Sequence, residues 1–331
     1  MDQSVVPGRR RGTSPAAGPA TTPGAVRAPQ RSWRRIFDNR LLPILLITPA
    51  LVAIGGLVAY PVLRTAWLSL NDASGLQALT TGAMSFIGLD NYVAIAQDPD
   101  LRRSALTTVL FGLSCVVATM VVGMAVALLL NRPFKGRVVL GVIVLLPWAI
   151  PHVAASYVWQ WLFHDQYGVI NWTLSTLGLG GFEGFAWFNQ WHTAFIVIGI
   201  VVVWQSFPFV SIALLAGLQT VPTDVLEAAR IDGASAWQRT RLVTLPMLKP
   251  LLLVLLVIST IWDFKVFDQV FVLTGGGPAR KTEILTISTY QQAFTQSEFG
   301  LGSALAMVLF LILLVVTVIY IKLVKDEERV S

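Results

Sequence analysis

The chain has 331 residues, 55% of them hydrophobic and only 13% charged, with mean hydropathy +0.68 and a formal net charge of +6. A soluble domain carries about 25% charged residues, so composition excludes a soluble globular protein and points to the bilayer. A spanning helix takes roughly 20 apolar residues, and six such stretches leave too little chain for a fused ATPase.

Residues 1–40 hold eight arginines among Pro, Gly, Ala and Thr, a composition that cannot bury a core and predicts a disordered basic tail. The apolar stretches run over 41–63, 104–130, 138–163, 194–218, 248–272 and 303–324. The fold class expected is therefore all-α: a polytopic membrane protein with six transmembrane helices, its membrane domain over 41–325 and a C-terminal tail over 326–331. Of the 24 lysines and arginines, 18 fall in the two tails and in the loops after spans two and four. By the positive-inside rule these regions, including both termini, face the cytoplasm, and loops one, three and five face outward.

Span two repeats small residues every fourth position, Thr119, Gly123 and Ala127, a face on which another helix can approach closely, from this chain or a neighbouring one. Cys115 in the same span is the only cysteine, so no intrachain disulfide forms. Span three carries Pro147 and Pro151, and span four Pro208, each able to bend its helix. The outer loop over 164–193 has no Lys or Arg but holds Trp172, Trp187 and Trp191. It is expected to form a short interfacial helix, its rings anchoring at headgroup level. His152, His164 and His192 lack the spacing of a metal site, so neither a metal nor a catalytic centre is expected.

Span five reads Trp262-Asp263-Phe264-Lys265-Val266-Phe267-Asp268-Gln269. Charges at bilayer depth cost at least about 2.5 kcal/mol each and so face a cavity or a partner. Lys265 and Asp268, three apart, are expected to pair on one helix face. Two readings stand: Trp262, Asp263, Lys265, Asp268 and Gln269, with Gln205 of span four, line a hydrophilic path, or the charges make an interfacial ion pair. The turn Gly275-Gly276-Gly277-Pro278 lies in the last outer loop and lacks the lysine of a phosphate-binding loop.

The inner loop over 221–250 is written in helix punctuation. Asp224 with Glu227 reads as a capping box, Gly233 as a left-handed helix stop, and Ser235 with Gln238 as a second capping box. A short helix, a sharp turn and a second helix ending near Pro246 are expected.

Glu227-Ala228-Ala229, three residues, Gly233, nine residues, then Val243-Thr244-Leu245-Pro246 resembles the EAA loop of the permease subunits of binding-protein-dependent (type I) ABC importers. Valine stands where that motif has isoleucine. Pro49-Ala50 to Tyr60-Pro61 with Arg64 and Trp67-Leu68-Ser69, Phe86-Ile87-Gly88-Leu89-Asp90-Asn91-Tyr92, and Leu273-Thr274 with the glycine turn are similar to the carbohydrate branch, in particular to the first permease of maltose, trehalose and glycerol-phosphate systems. The resemblance implies a non-catalytic half of a sugar importer, with a second permease, two ATPase subunits binding ATP and Mg, and an extracellular sugar-binding protein as partners. It implies no cofactor in this chain, a carbohydrate substrate such as a disaccharide or other oligosaccharide, and a place in the cytoplasmic membrane among lipids. Glu227, Ala228, Ala229, Asp232, Gly233 and Pro246 would dock the ATPase; Gly275, Gly276, Gly277 and Pro278 are open to two readings, a reach toward the binding protein or a plain glycine-rich turn. No nucleic-acid role is expected, since the helix-turn-helix is tied to spans at both ends. The alternative, a proton-coupled secondary transporter using Asp263, Lys265 and Asp268, leaves the EAA loop unexplained, and a membrane scaffold leaves the charges of span five unexplained.

Overall fold

The computed structural model describes residues 41–82 and 84–328; the tail expected over 1–40 and the last residues, 329–331, lie outside them. The described residues fall into two units, 41–58 and 59–328. The first consists of α1 (Leu41–Ile54) and most of a π-helical turn, Gly55–Ala59. The stretch Leu46–Leu68 is long and apolar enough to cross a membrane, and none of its most apolar window is buried by the chain itself.

The second unit opens with α2 (Tyr60–Leu68), then a two-residue hairpin pairing β1 (Asn71–Asp72) with β2 (Ser85–Phe86) around α3 (Gly75–Thr81), then α4 (Asp90–Gln97). The long helix α5 (Pro99–Leu130) starts where the sequence dictates: Pro99 occupies its first position, and the Asp98 carboxylate accepts from the backbone N–H of Asp100 at 2.7 Å and of Leu101 at 3.2 Å. Its buried stripe is built of small residues, Ser104, Thr108, Gly112, Cys115, Thr119, Gly123 and Ala127.

That stripe receives α9 (Trp191–Leu218), so the close neighbour is in this chain. A Cβ at Gly123 would lie 2.6 Å from Val210 Cγ1, and one at Gly112 would lie 2.6 Å from the ring of Phe264. Such close approach is how helices gain dispersion contacts in lipid, where apolar burial alone gives little.

Between these come α6 (Arg137–Ala149), α7 (His152–Leu162) and, in the long loop, α8 (Val169–Thr176). The span expected over 138–163 is formed by two helices, α6 and α7, which meet at a bend of 99°. The residue before a proline is pushed out of the α region, and Ile150 before Pro151 is extended at φ −82°, ψ 133°. With that bent pair counted as one span, the apolar helices make six; five qualify singly.

After α9 the loop forms α10 (Thr223–Ile231), α11 (Ala236–Arg239), a π-helical turn (Thr240–Thr244) and α12 (Leu245–Met247), leading into α13 (Lys249–Phe264). The span expected over 248–272 matches the stretch Lys249–Leu273, which is long and apolar enough to cross a membrane, with a local break. The helix stops at Lys265 and resumes as α14 (Asp268–Leu273), with Phe267 at φ −131°, ψ −57°. A broken helix at membrane depth needs its freed backbone satisfied, and Thr286 Oγ1 donates to the Val266 carbonyl at 2.6 Å. The chain ends with α15 (Leu285–Tyr290) and α16 (Phe299–Glu328), so helix continues into the tail expected over 326–331.

Three apolar clusters hold the second unit together. One joins α5, α9 and α14 to Ile284 and Ile287, a second joins α5, α9 and α13, and the third joins α4, α5 and α15 to α16.

Candidate functional site

A carboxylate sits where α5, α9 and α13 converge. Asp263, in the last turn of α13, is 2% exposed, accepting a hydrogen bond from Ser206 Oγ at 3.2 Å and lying 3.5 Å from Thr119 Oγ1. The small-residue face of α5 thus also contributes a hydroxyl to a buried charge, which two neutral donors partly compensate.

Beside Asp263 runs a row of rings. Trp262 meets Phe209 edge to face at 5.0 Å, and Phe209 stacks on Trp148, of α6, at 6.1 Å. Trp262 and Trp148 remain 39% and 51% exposed, so apolar ring faces stay available in front of the buried carboxylate's helix. Ser206 and Phe209 are three apart on α9, hence on one face. The adjacent Gln205 is buried and accepts from Gln269 Nε2 at 2.7 Å, while His152 Nδ1 lies 3.2 Å from the same amide nitrogen. Among the described residues the Gln205 Nε2 group has no partner, a donor that costs about 1–3 kcal/mol when left unused.

The structure thus brings Asp263, Trp262, Gln205 and Gln269 into one neighbourhood and adds Ser206, Phe209, Trp148 and His152. Lys265 and Asp268 do not pair: the helix breaks between them, Lys265 is exposed, Asp268 is half-buried, and no ion pair joins them among the described residues. The physical reason is that three-residue spacing makes neighbours only on an unbroken helix. Trp148 and Ser206 escape a sequence reading because each is an ordinary residue in an apolar run; the three-residue spacing of Ser206 and Phe209 was the only available signal.

The glycine turn has work inside its own chain. Gly275 and Gly276 take φ of +57° and +95°, and a Cβ on Gly276 would lie 3.3 Å from Glu283 Cβ. Glu283, 2% exposed, receives Arg280 through two bonds at 2.6 and 2.9 Å, and Arg280 reaches Asp100 at 3.3 Å. Hydrogen bonding to Glu283 raises the guanidinium above its ordinary range against the opposing effect of burial, with the charges of Glu283 and Asp100 adding to the rise. Ser288 also donates to Glu283 at 2.6 Å and lies 2.7 Å from Ser104. This network went unseen in the sequence, although Arg280 and Glu283 stand three apart.

At the other end of α9, the loop forms a compact hairpin. Gly233 adopts φ +82°, and Ala234 N–H donates to Ala229 at 3.0 Å, closing α10. Ser235 and Gln238 make the capping box expected of them. Asp224 does not cap: Pro222 takes the N-cap position, which shifts Asp224 into the first turn, where its charge faces the positive helix end. Asp224, Glu227, Ala228 and Ile231 follow i, i+3, i+4, i+7 spacing, all exposed, Ile231 at 86%. Asp232, Gly233 and Pro246 are also exposed, and Ala229 is half-buried. Among the described residues there is no group of three His, Cys, Asp or Glu side chains placed to hold a metal.

The family model described as binding-protein-dependent transport system inner membrane component matches residues 119–326. The chain belongs to this family. It is 38% identical over 301 residues to the sulfoquinovosyl glycerol transport system permease of Agrobacterium fabrum, covering 89% of this chain and 95% of that one. It is 40% identical over 295 residues to the diacetylchitobiose uptake permease of Streptomyces coelicolor, covering 87% and 88%. The trehalose/maltose transport permease of Thermococcus litoralis is 37% identical, covering 86% and 94%. Among solved structures, a bacterial ABC transporter that imports the acidic polysaccharide alginate has a chain matching at TM-score 0.74 and 22% identity, covering 89% of this chain and 98% of that one. The predominantly helical fold is shared with that solved importer chain. As an inner membrane permease this chain is a transport subunit.

Proposed function

We propose that the chain forms half of the translocation pathway of a carbohydrate importer, moving a disaccharide or other oligosaccharide. The observation that carries this reading is the Trp148–Phe209–Trp262 row beside Asp263, Ser206 and Gln205. A sugar ring has an apolar C–H face and a rim of hydroxyls; the first suits an aromatic surface, the second suits a carboxylate and an amide. The permease relatives are named for glycosides and disaccharides, which supports the same class. Trp262 and Trp148, exposed in the single chain, would face a second permease across the path.

The α10–α12 hairpin is read as the contact for a separate ATPase. Its exposed row of Asp224, Glu227, Ala228 and Ile231 combines an anionic edge with an apolar tip, a surface suited to a cleft lined by arginine and apolar residues. ATP would then drive the path by favouring one of two arrangements of the permease pair. The lysine and arginine bias supports a reading with this hairpin and both termini in the cytoplasm, and with the Arg280 network and the α8 loop outside, where a sugar-binding protein would deliver its cargo. In this reading the glycine turn and Pro278 shape the outer face.

Uptake of labelled saccharides by cells that lack this chain and are given back either the wild-type chain or Asp263→Asn tests the proposal. Loss of uptake of at least one saccharide on deletion, rescued by the wild type and not by Asp263→Asn, is expected. Purified chain alone accumulating sugar in liposomes under a proton gradient would overturn it.

A further inference from the structure

A cleft of about 760 Å³ opens beside α7 and the start of the α8 loop, lined by none of the residues around Asp263. Tyr157 and Trp161, four apart on α7, line it with His164 just past the helix end and with Gln160, Tyr167 and Asn189. Tyr157, Trp161 and Tyr167 are 60%, 64% and 59% exposed, so their rings are open to a ligand. Tyr167 lies flat on the His164 imidazole with centroids 3.6 Å apart, and His164 Nδ1 is 2.9 Å from Asp165 Oδ1.

The wall behind these rings is fixed. Trp187 packs against Phe163, Phe182 and Phe185, and its indole N–H donates to Asn171 Oδ1 at 2.6 Å. Gln160 Nε2 is engaged by the Val272 carbonyl at 3.2 Å, which orients its amide oxygen as an acceptor. Interface anchoring describes Trp172, 67% exposed on α8, but not this cleft, whose rings share a cavity with an imidazole, a carboxylate and two amides. No Lys or Arg lines it, and Asp165 would repel a lipid phosphate. The chemistry fits a neutral polyol with an apolar face.

We propose that this cleft is an entry subsite that binds a neutral saccharide at the outer surface before it passes inward. The inference rests on the carbohydrate reading above but concerns a different set of residues. The two sites are joined by α7: His152, which meets Gln269, and Gln160, at the cleft, are eight residues apart, about 12 Å along the helix.

The test uses the assembled transporter, purified through a tag on this chain, in nanodiscs without its binding protein to read saccharide contact, and in proteoliposomes with the binding protein to read transport and binding-protein affinity. Saturation-transfer NMR with maltose, trehalose and diacetylchitobiose as probes reads contact directly. At least one probe is expected to receive saturation from the wild type and from Asp263→Asn, with affinity lowered about tenfold by Trp161→Ala and far less by Trp161→Phe. His164→Gln, a smaller change, guards against a folding defect and is expected to weaken the same signal. Absence of any signal from a complex that transports one of these probes overturns the subsite. So does a signal untouched by both Trp161→Ala and His164→Gln, or variants that loosen only the binding protein, which would make the cleft a protein contact. A complex that transports no labelled saccharide would instead overturn the carbohydrate reading itself.

Discussion

Asp263 is an acid held in a frame of hydroxyls, and its substitutions separate charge from shape. Asp263→Asn keeps the volume but turns one of the two oxygens that accept from Ser206 and Thr119 into an amide donor and removes the acid; transport into proteoliposomes is expected to fall about tenfold while the binding protein keeps its sugar affinity, since a buried hydroxyl left without its acceptor costs about 1–3 kcal/mol. The packing at Gly123 has a different signature. Gly123→Val forces side-chain atoms into Val210 and should destabilise the chain by about 1–3 kcal/mol, seen as a lower thermal midpoint in detergent. Asp263 was legible in the sequence because a charge in an apolar run needs a reason. Ser206, Phe209 and Trp148 were not, because nothing distinguishes them until three helices bring them together.

Helix ends were read well where the signal is local and misread where two signals compete. Gly233 and the Ser235–Gln238 box each need only their immediate neighbours, and both form as written. Asp224 had the right partner spacing, but Pro222 had already taken the cap position. The break at Lys265–Phe267 carries no proline or glycine, so a helical period ran through it on paper; its support comes from Thr286, 20 residues away. Gly233→Pro cannot adopt φ +82°, and it is expected to abolish ATP-driven uptake while the permease still folds, measured by uptake and by recovery of an intact bundle. Ser235→Ala removes only a cap, about 1 kcal/mol, and uptake should persist.

At the scale of the whole molecule, the long-range ties are the least visible in sequence. Arg280 and Asp100 are 180 residues apart, and no pattern in either segment announces the other. Arg280→Gln leaves Glu283 buried with Ser288 as its remaining donor, and should cost about 3 kcal/mol by thermal unfolding. Adding Glu283→Gln should recover most of that loss, because the stranded charge is gone. The number of spans was readable from apolar runs, whereas the 99° turn between α6 and α7 was visible only as two prolines of uncertain consequence.

The Arg280–Glu283 network also orders events in time. The face of α5 that presents Asp100, Ser104 and Thr108 leaves the ribosome early, yet its tertiary partners Arg280, Ser288 and the backbone N–H of Leu285 arrive more than 170 residues later. Through most of synthesis that face has none of them. A nascent chain halted before residue 280 therefore carries an incomplete polar seam, which only the last sixth of the chain completes.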